Sequence, residues 1–342
     1  MTTLALRTPR DRVSVRVRSR ATAVCAGLLV VTFAVAVVGL TTGDYPLPLG
    51  DVLATLVGRG DPASTFIVET LRAPRVLTGV FVGAAFGVAG AIFQSVSRNP
   101  LGSPDIVGFT TGSATGALIV ILALGEAAGP VGLGAVCGGV VSALAVYLLS
   151  VRNGVQGARL VLVGIGIAAM LESVNAYLIT RATREDAFAA AHWLVGSLNG
   201  RGWEHVWPVA AVLVLAVPVA LALARPLALL EMGDDAARAL GVRVERSRAA
   251  VIFLAVALTA VATASAGPVA FVALAAPQLA RRLTRSATPG LLPAGLMGAL
   301  LLAASDLAAQ RLLDADLPVG VLTGALGGIY LGWLLFTGRS RA

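Results

Sequence analysis

All 26 basic residues of this 342-residue chain are arginine, and lysine is absent. A G-x-x-x-x-G-K-[ST] phosphate loop needs its lysine to reach the phosphates, so the chain is not itself a P-loop ATPase. His192 and His205 have no Cys or His at ligand spacing, and Cys25 and Cys137 each fall in an apolar run. Neither a structural metal site nor a disulfide framework is indicated, and no nucleophile is grouped with a base. The residues that remain are carboxylates and guanidiniums in unusual surroundings. Glu172 and Asp306 lie well inside long apolar runs. There a carboxylate costs roughly 2.5–3.5 kcal/mol on insertion scales, so a functional or paired role is the default; for Asp306 the expected partner is Gln310 or a helix end.

The largest polar group is the stretch 225–248, RPLALLEMGDDAARALGVRVERSR, with five arginines and four acids between apolar runs. Its centre predicts a compact helix over Asp235–Leu240. Asp234 is placed to cap that helix, and Gly241 suits the left-handed position that ends it. Asp234 and Asp235 sit near the positive helix start, and Arg238 comes later on the helix. A short capped helix outside the membrane suits a cleft on a soluble partner. The plainer reading is a solvated loop that only obeys charge-topology rules.

The rest of the chain must hold these groups in lipid. It is 57% hydrophobic and 13% charged, against roughly 25% charged for soluble domains, with mean hydropathy +0.87. Few aromatics and no basic module argue against nucleic acid as the partner of the +8 net charge. Ten apolar runs approach spanning length: 21–40, 74–96, 106–124, 131–150, 159–180, 206–224, 249–264, 268–283, 291–311 and 318–336. The first is too long for a signal-peptide core. The expected fold is therefore all-α: one polytopic domain over 21–338, a basic tail at 1–20 and a short tail at 339–342. An even span count puts both termini on one side. With the termini cytoplasmic, nineteen arginines fall inside and seven outside: Arg59, Arg72, Arg75, Arg181, Arg184, Arg201 and Arg311. That is the bias expected of cytoplasmic loops.

Three runs carry glycines four apart: Gly79, Gly83 and Gly87; Gly108, Gly112 and Gly116; and Gly320, Gly324, Gly328 and Gly332. Such a face lets helix backbones approach closely in lipid, and the last set is also a candidate sliding seam. Pro/Gly loops follow the second and seventh spans, at 98–104 and 266–268, which suggests that spans 2–5 and 7–10 form an inverted repeat.

Several segments resemble the FecCD-type permeases of binding-protein-dependent ABC importers: LRAPRVLTGVFVGAAFGVAGAIFQSVSRNPLGSPDIVGFTTG at 71–112, WLVGSLNGRGWEHV at 193–206, LLEMGDDAARALGVRVERSR at 229–248, AGPVAFVALAAPQLARR at 266–282 and LPVGVLTGALGGIYL at 317–331. The likeness covers nearly everything after the first span, and within the family it is greatest to permease subunits of ferric enterobactin importers.

The resemblance implies a ten-helix subunit in the cytoplasmic membrane of a bacterium that pairs with a second permease, a sibling rather than an identical copy. Two cytoplasmic ATPases would bind ATP and Mg, so no cofactor is expected in this subunit. An extracytoplasmic binding protein would deliver a ferric siderophore. By resemblance, Glu231, Gly233, Asp234, Asp235, Ala237, Arg238, Leu240 and Gly241 form the ATPase-coupling loop, Arg72, Arg75 and Arg311 meet acidic residues of the binding protein, and the span bearing Glu172 borders the path. Glu172 departs from the enterobactin-type pattern, and Gln278 stands where the family commonly has histidine. The alternatives are another iron chelate, haem or a corrinoid as cargo, and, in a different class, an ion-coupled secondary transporter, for which only Glu172 and Asp306 offer intramembrane carboxylates.

Overall fold

The computed structural model describes residues 3–7, 14–43, 45–124, 128–151, 157–311 and 317–338. Two strands open the chain: β1 (Thr3–Arg7) pairs antiparallel with β2 (Ser14–Arg18), Thr3 opposite Arg18. The sequence reading has only a basic tail here. The alternation of valine and arginine in SVRVR is the period-2 signal of a strand.

The other elements among the described residues are helices. α1 (Ser19–Thr41) is followed by the short α2 (Leu49–Leu56) and α3 (Pro62–Thr65). The Asp61 carboxylate accepts from the Ala63 and Ser64 amides and caps α3. α3 passes through a π-helical segment, Phe66–Arg72, into α4 (Ala73–Ser97), making one continuous rod of 36 residues. Then come α5 (Phe109–Leu124), α6 (Ala128–Ser150), α7 (Gly157–Arg181), α8 (Arg184–Val195) and α9 (Trp203–Ala222). The polar stretch forms α10 (Ala224–Glu231) and α11 (Asp234–Ala239). α12 (Val244–Ala266), α13 (Val272–Thr284), α14 (Leu291–Arg311) and α15 (Val319–Gly338) complete the bundle. All ten predicted spans are present as helices, with α1, α4–α7, α9 and α12–α15 in that role. Among the described residues, seven helices are long and apolar enough to cross a membrane; α5 and α15 are shorter apolar helices, and α13 has only 13 residues.

α4 is the central post, packed against α14, α12, α13 and α9, and most of its residues are buried. One apolar core runs from Leu28 to Val319. The close approach of α4 and α14 depends on glycine: a methyl group at Gly83 or Gly87 would strike the carbonyls of Gly298 or Ala294. Gly112 and Gly116 seat α5 on α6 in the same way, and Leu198 lies over Gly79. The final set differs. Gly320 abuts the Val195 carbonyl, but Gly324, Gly328 and Gly332 face open space.

The packing has the symmetry of the suggested repeat. α4 lies on α14 as α12 lies on α6, and α5 lies on α6 as α13 lies on α14. α5 and α13 each begin just after a left-handed residue, Gly108 (φ 84°) and Phe271 (φ 67°). Both start inside the bundle: Phe109 packs edge-on against Phe93, and the Ala273 backbone lies against Gly90.

Candidate coupling site and transport path

The polar stretch folds as two short helices around a small apolar cluster of Leu230, Ala237 and Val244. α11 begins one residue earlier than predicted, at Asp234, and its cap is Gly233 at φ 115° with no side-chain cap bond. Gly241, at φ 82°, takes the expected left-handed position. Asp234 does not cap the helix, because its carboxylate is held by two guanidiniums. Arg248 at the start of α12 donates to Oδ1 at 2.6 Å, and Arg98 at the end of α4 donates to the same oxygen. Both of these bonds are charged on donor and acceptor alike, whereas a cap would pair the carboxylate with neutral backbone amides. Arg98, left-handed at φ 52°, also donates from Nε to the Leu230 carbonyl at 2.8 Å and so ties α4 to α10.

Asp234 is therefore a node joining α4, α11 and α12. Burial pushes its carboxyl up, but Arg248 and then Arg98 outweigh burial and hold it below the ordinary carboxylate range. Glu231 shifts the other way, pushed up chiefly by burial. Arg238 pairs with Asp235 at 3.1 Å and reaches Glu245 at 3.8 Å. Met232 and Leu240 stand 67% and 60% exposed on either side of α11. The module thus offers a fixed short helix with apolar groups at both shoulders. Sequence reasoning did not mark Arg98 as part of this site. Its signal was a basic residue directly after a long apolar helix, and its partner lies 136 positions away.

At the opposite end of α4, Arg72, Arg75, Gln310 and Arg311 line one cleft of about 420 Å³. Arg72 donates to the carbonyls of Leu40 at 2.9 Å and Tyr45. Arg75 makes a two-pronged pair with Asp306, Nε–Oδ2 3.0 Å and Nη2–Oδ1 2.9 Å. Gln310 donates to Asp306 at 2.8 Å, the expected partner, but the arginine is the stronger one. The structure thus brings the three arginines together and gives Arg72 and Arg75 intramolecular partners, while Arg311 stands exposed.

Glu172 borders a second cleft, of about 640 Å³, walled by α5, α7, the end of α8 and the start of α15. Asp105 and Asn175 line it as well. Beside it, the 196–202 loop fastens the ends of other elements: Ser197 N donates to Ala266 O at 2.8 Å and Gly320 N to Gly196 O at 3.1 Å. Gln278 is buried and donates to Gln94 Oε1 at 2.7 Å and to the Pro100 carbonyl at 3.0 Å. Gln94 in turn donates to the Leu274 carbonyl at 3.0 Å, so α4, α13 and the 98–108 loop are joined by one amide chain.

The sequence profile of the FecCD transport family matches residues 28–337. The chain is 49% identical over 298 residues to the ferric enterobactin transport system permease protein FepG of Escherichia coli (strain K12), covering 87% of this chain and 90% of that protein. It is 36% identical to the achromobactin transport system permease protein CbrC of Dickeya dadantii (strain 3937), covering 91% of this chain and 90% of that one. Among solved structures, an inward-facing metal-chelate type ABC transporter superposes with a TM-score of 0.83 at 29% identity, covering 92% of this chain and 99% of its own. With the family profile spanning nearly all of the helical bundle, and with relatives this close over most of their length, the chain belongs to the FecCD transport family.

Proposed function

We propose that this chain is the permease subunit of an ATP-driven importer that carries a ferric siderophore of the enterobactin kind across the cytoplasmic membrane. The observation that carries the reading is the Asp234 node: a short exposed helix is anchored by ion pairs to the two helices, α4 and α12, that head the two halves of the bundle. A push on α11 from a soluble partner would reach both halves at once. The permease relative at 49% identity supports the cargo class.

On this reading both termini are cytoplasmic, α10–α11 seats in one of two ATPase subunits that bind ATP and Mg, and a sibling permease completes the path. An extracytoplasmic binding protein docks at the cleft holding Arg72, Arg75 and Arg311. Arg311 is the exposed contact, and Arg72 and Arg75 shape the rim. The test is uptake of labelled ferric chelates by a deletion strain complemented with this gene. Restoration of ferric catecholate uptake supports the reading; restoration of a corrinoid or haem alone, or of no chelate, overturns it.

A further inference from the structure

We propose that Glu172 is a charge filter in the transport path, slowing a ferric catecholate in its fully anionic form and passing it faster once protons have lowered its net charge. The inference rests on the importer reading above and names the cargo chemistry that the path selects.

Glu172 is exposed on α7 and borders the cleft of about 640 Å³. Asp105 borders the same cleft from the loop that leads into α5, and Thr110 donates to its carboxylate at 2.8 Å. The other polar groups in the wall are neutral, including Thr111 and Asn175, and no arginine is among the described residues that line it. Asn175 is only 6% exposed, and its Oδ1 has no hydrogen-bond partner among the described residues. Among the described residues the wall therefore carries two carboxylates and an unpaired amide oxygen, with no cation to offset them.

Such a lining is electronegative, and a cleft with low-dielectric walls strengthens its field. A ferric tris-catecholate carries its surplus charge on ligand oxygens, so every close approach to Glu172 opposes like charges. A chelate whose ligands balance the iron charge, or a catecholate that has taken up protons, escapes that penalty. Asp105 already accepts a hydrogen bond from Thr110, whereas Glu172 stands exposed on the wall, so Glu172 is the residue that a passing chelate meets.

The test is initial-rate uptake by the complete importer, with its binding protein saturating, in proteoliposomes. Two labelled cargoes are compared, a trianionic ferric tris-catecholate and a charge-neutral ferric chelate, for wild type, Glu172→Gln and Glu172→Asp. Dividing each mutant rate by the wild-type rate for the same cargo cancels the preference of the binding protein. Glu172→Gln is expected to raise catecholate uptake on the order of fivefold while leaving the neutral chelate within about twofold. Glu172→Asp keeps the charge and should hold both rates near wild type. Equal changes for both cargoes, or an unchanged catecholate rate in Glu172→Gln, overturn the filter while the importer reading stands. A wild type that imports neither chelate removes the importer reading, and the filter falls with it.

Discussion

Asp234 and Arg248 meet at 2.6 Å across the turn between α11 and α12, and the Arg248 side chain is only 3% exposed there. Removing the carboxylate leaves a buried guanidinium that has lost its shortest ion pair, with Glu245 3.7 Å away. A fully buried pair broken this way costs about 3–5 kcal/mol. Asp234 is partly solvated, so Asp234→Ala is expected to cost about 1–3 kcal/mol. The larger effect is on transport: Asp234→Asn should fold and assemble with the ATPase yet lose most ATP-dependent uptake, because the links from α11 to both α4 and α12 are weakened together. Co-purification followed by ATPase and uptake assays measures this. Uptake at the wild-type rate removes the coupling role.

The two acids of this module give opposite pH signatures. Asp234 is held below its ordinary range, so its stabilising contribution is present above the unfolded value of about 3.9 and is lost only as pH falls through the lower folded value. It should leave stability flat from neutral pH down to mildly acidic conditions. Glu231 is pushed up by burial, so the folded state binds the extra proton, and stability declines as pH rises from the unfolded value through the folded one. Glu231→Gln removes that decline. Melting temperatures of the detergent-solubilised protein across pH should show the mutant gaining on wild type as pH rises; parallel curves contradict it.

Arg75 and Asp306 show how far the sequence carried. The polytopic bundle, the ten spans, the short helix in the polar stretch and the Gly241 ending all follow from local composition and spacing. The partner of Asp306 on its own helix, Gln310, was legible because i and i+4 share a face. Arg75, 231 positions away, was not, since pairing across helices depends on packing. Asp234 failed as a cap for the same reason: local rules see the helix start, while Arg98 and Arg248 arrive from elsewhere in the chain. The Phe66–Arg72 π segment was not legible either, since a π turn is a rare local departure from the α-helical pattern that periodicity reads.

That pair leads to a separable prediction for the three clustered arginines. Arg75→Ala removes the charged partner of Asp306, whose side chain is 7% exposed, leaving it the neutral Gln310 amide, and should destabilise the subunit by about 3–5 kcal/mol. The exchange Arg75→Asp with Asp306→Arg should recover part of that loss. Arg311→Glu should leave stability nearly unchanged but weaken binding-protein docking, most strongly at low salt. Thermal unfolding and binding measured across ionic strength distinguish the two. A stability loss in Arg311→Glu, or none in Arg75→Ala, reverses the assignment.

The geometry of Gln278 gives it a fastening role. Gln278→Ala removes both bonds of Nε2 and leaves the buried Gln94 Oε1 and the Pro100 carbonyl without that donor. An orphaned buried acceptor such as Gln94 Oε1 costs about 1–3 kcal/mol, and the loss should loosen the 98–108 loop against α13. Hydrogen exchange is expected to rise in that loop and at the start of α13 ahead of the rest of the bundle. Gln278→His retains a ring N–H donor and should recover part of the protection. Uniform exchange in Gln278→Ala shows that the amide chain does not hold the loop.

The glycine faces separate packing inside the chain from packing against something else. At Gly83 an added methyl meets the Gly298 backbone, which has no side chain to move aside, so Gly83→Ala must push α4 and α14 apart. Overpacking of that kind costs about 1–3 kcal/mol. At Gly324 and Gly328 the same methyl meets nothing within 4 Å, so alanine there should leave the isolated subunit within about 0.5 kcal/mol of wild type. If α15 borders the sibling permease, the bulkier Gly324→Leu and Gly328→Leu should keep the subunit folded and reduce its assembly with that partner. Thermal unfolding of the single subunit and size-exclusion chromatography of the co-expressed pair give the two readouts. Normal assembly of both leucine variants would place the open face of α15 against lipid.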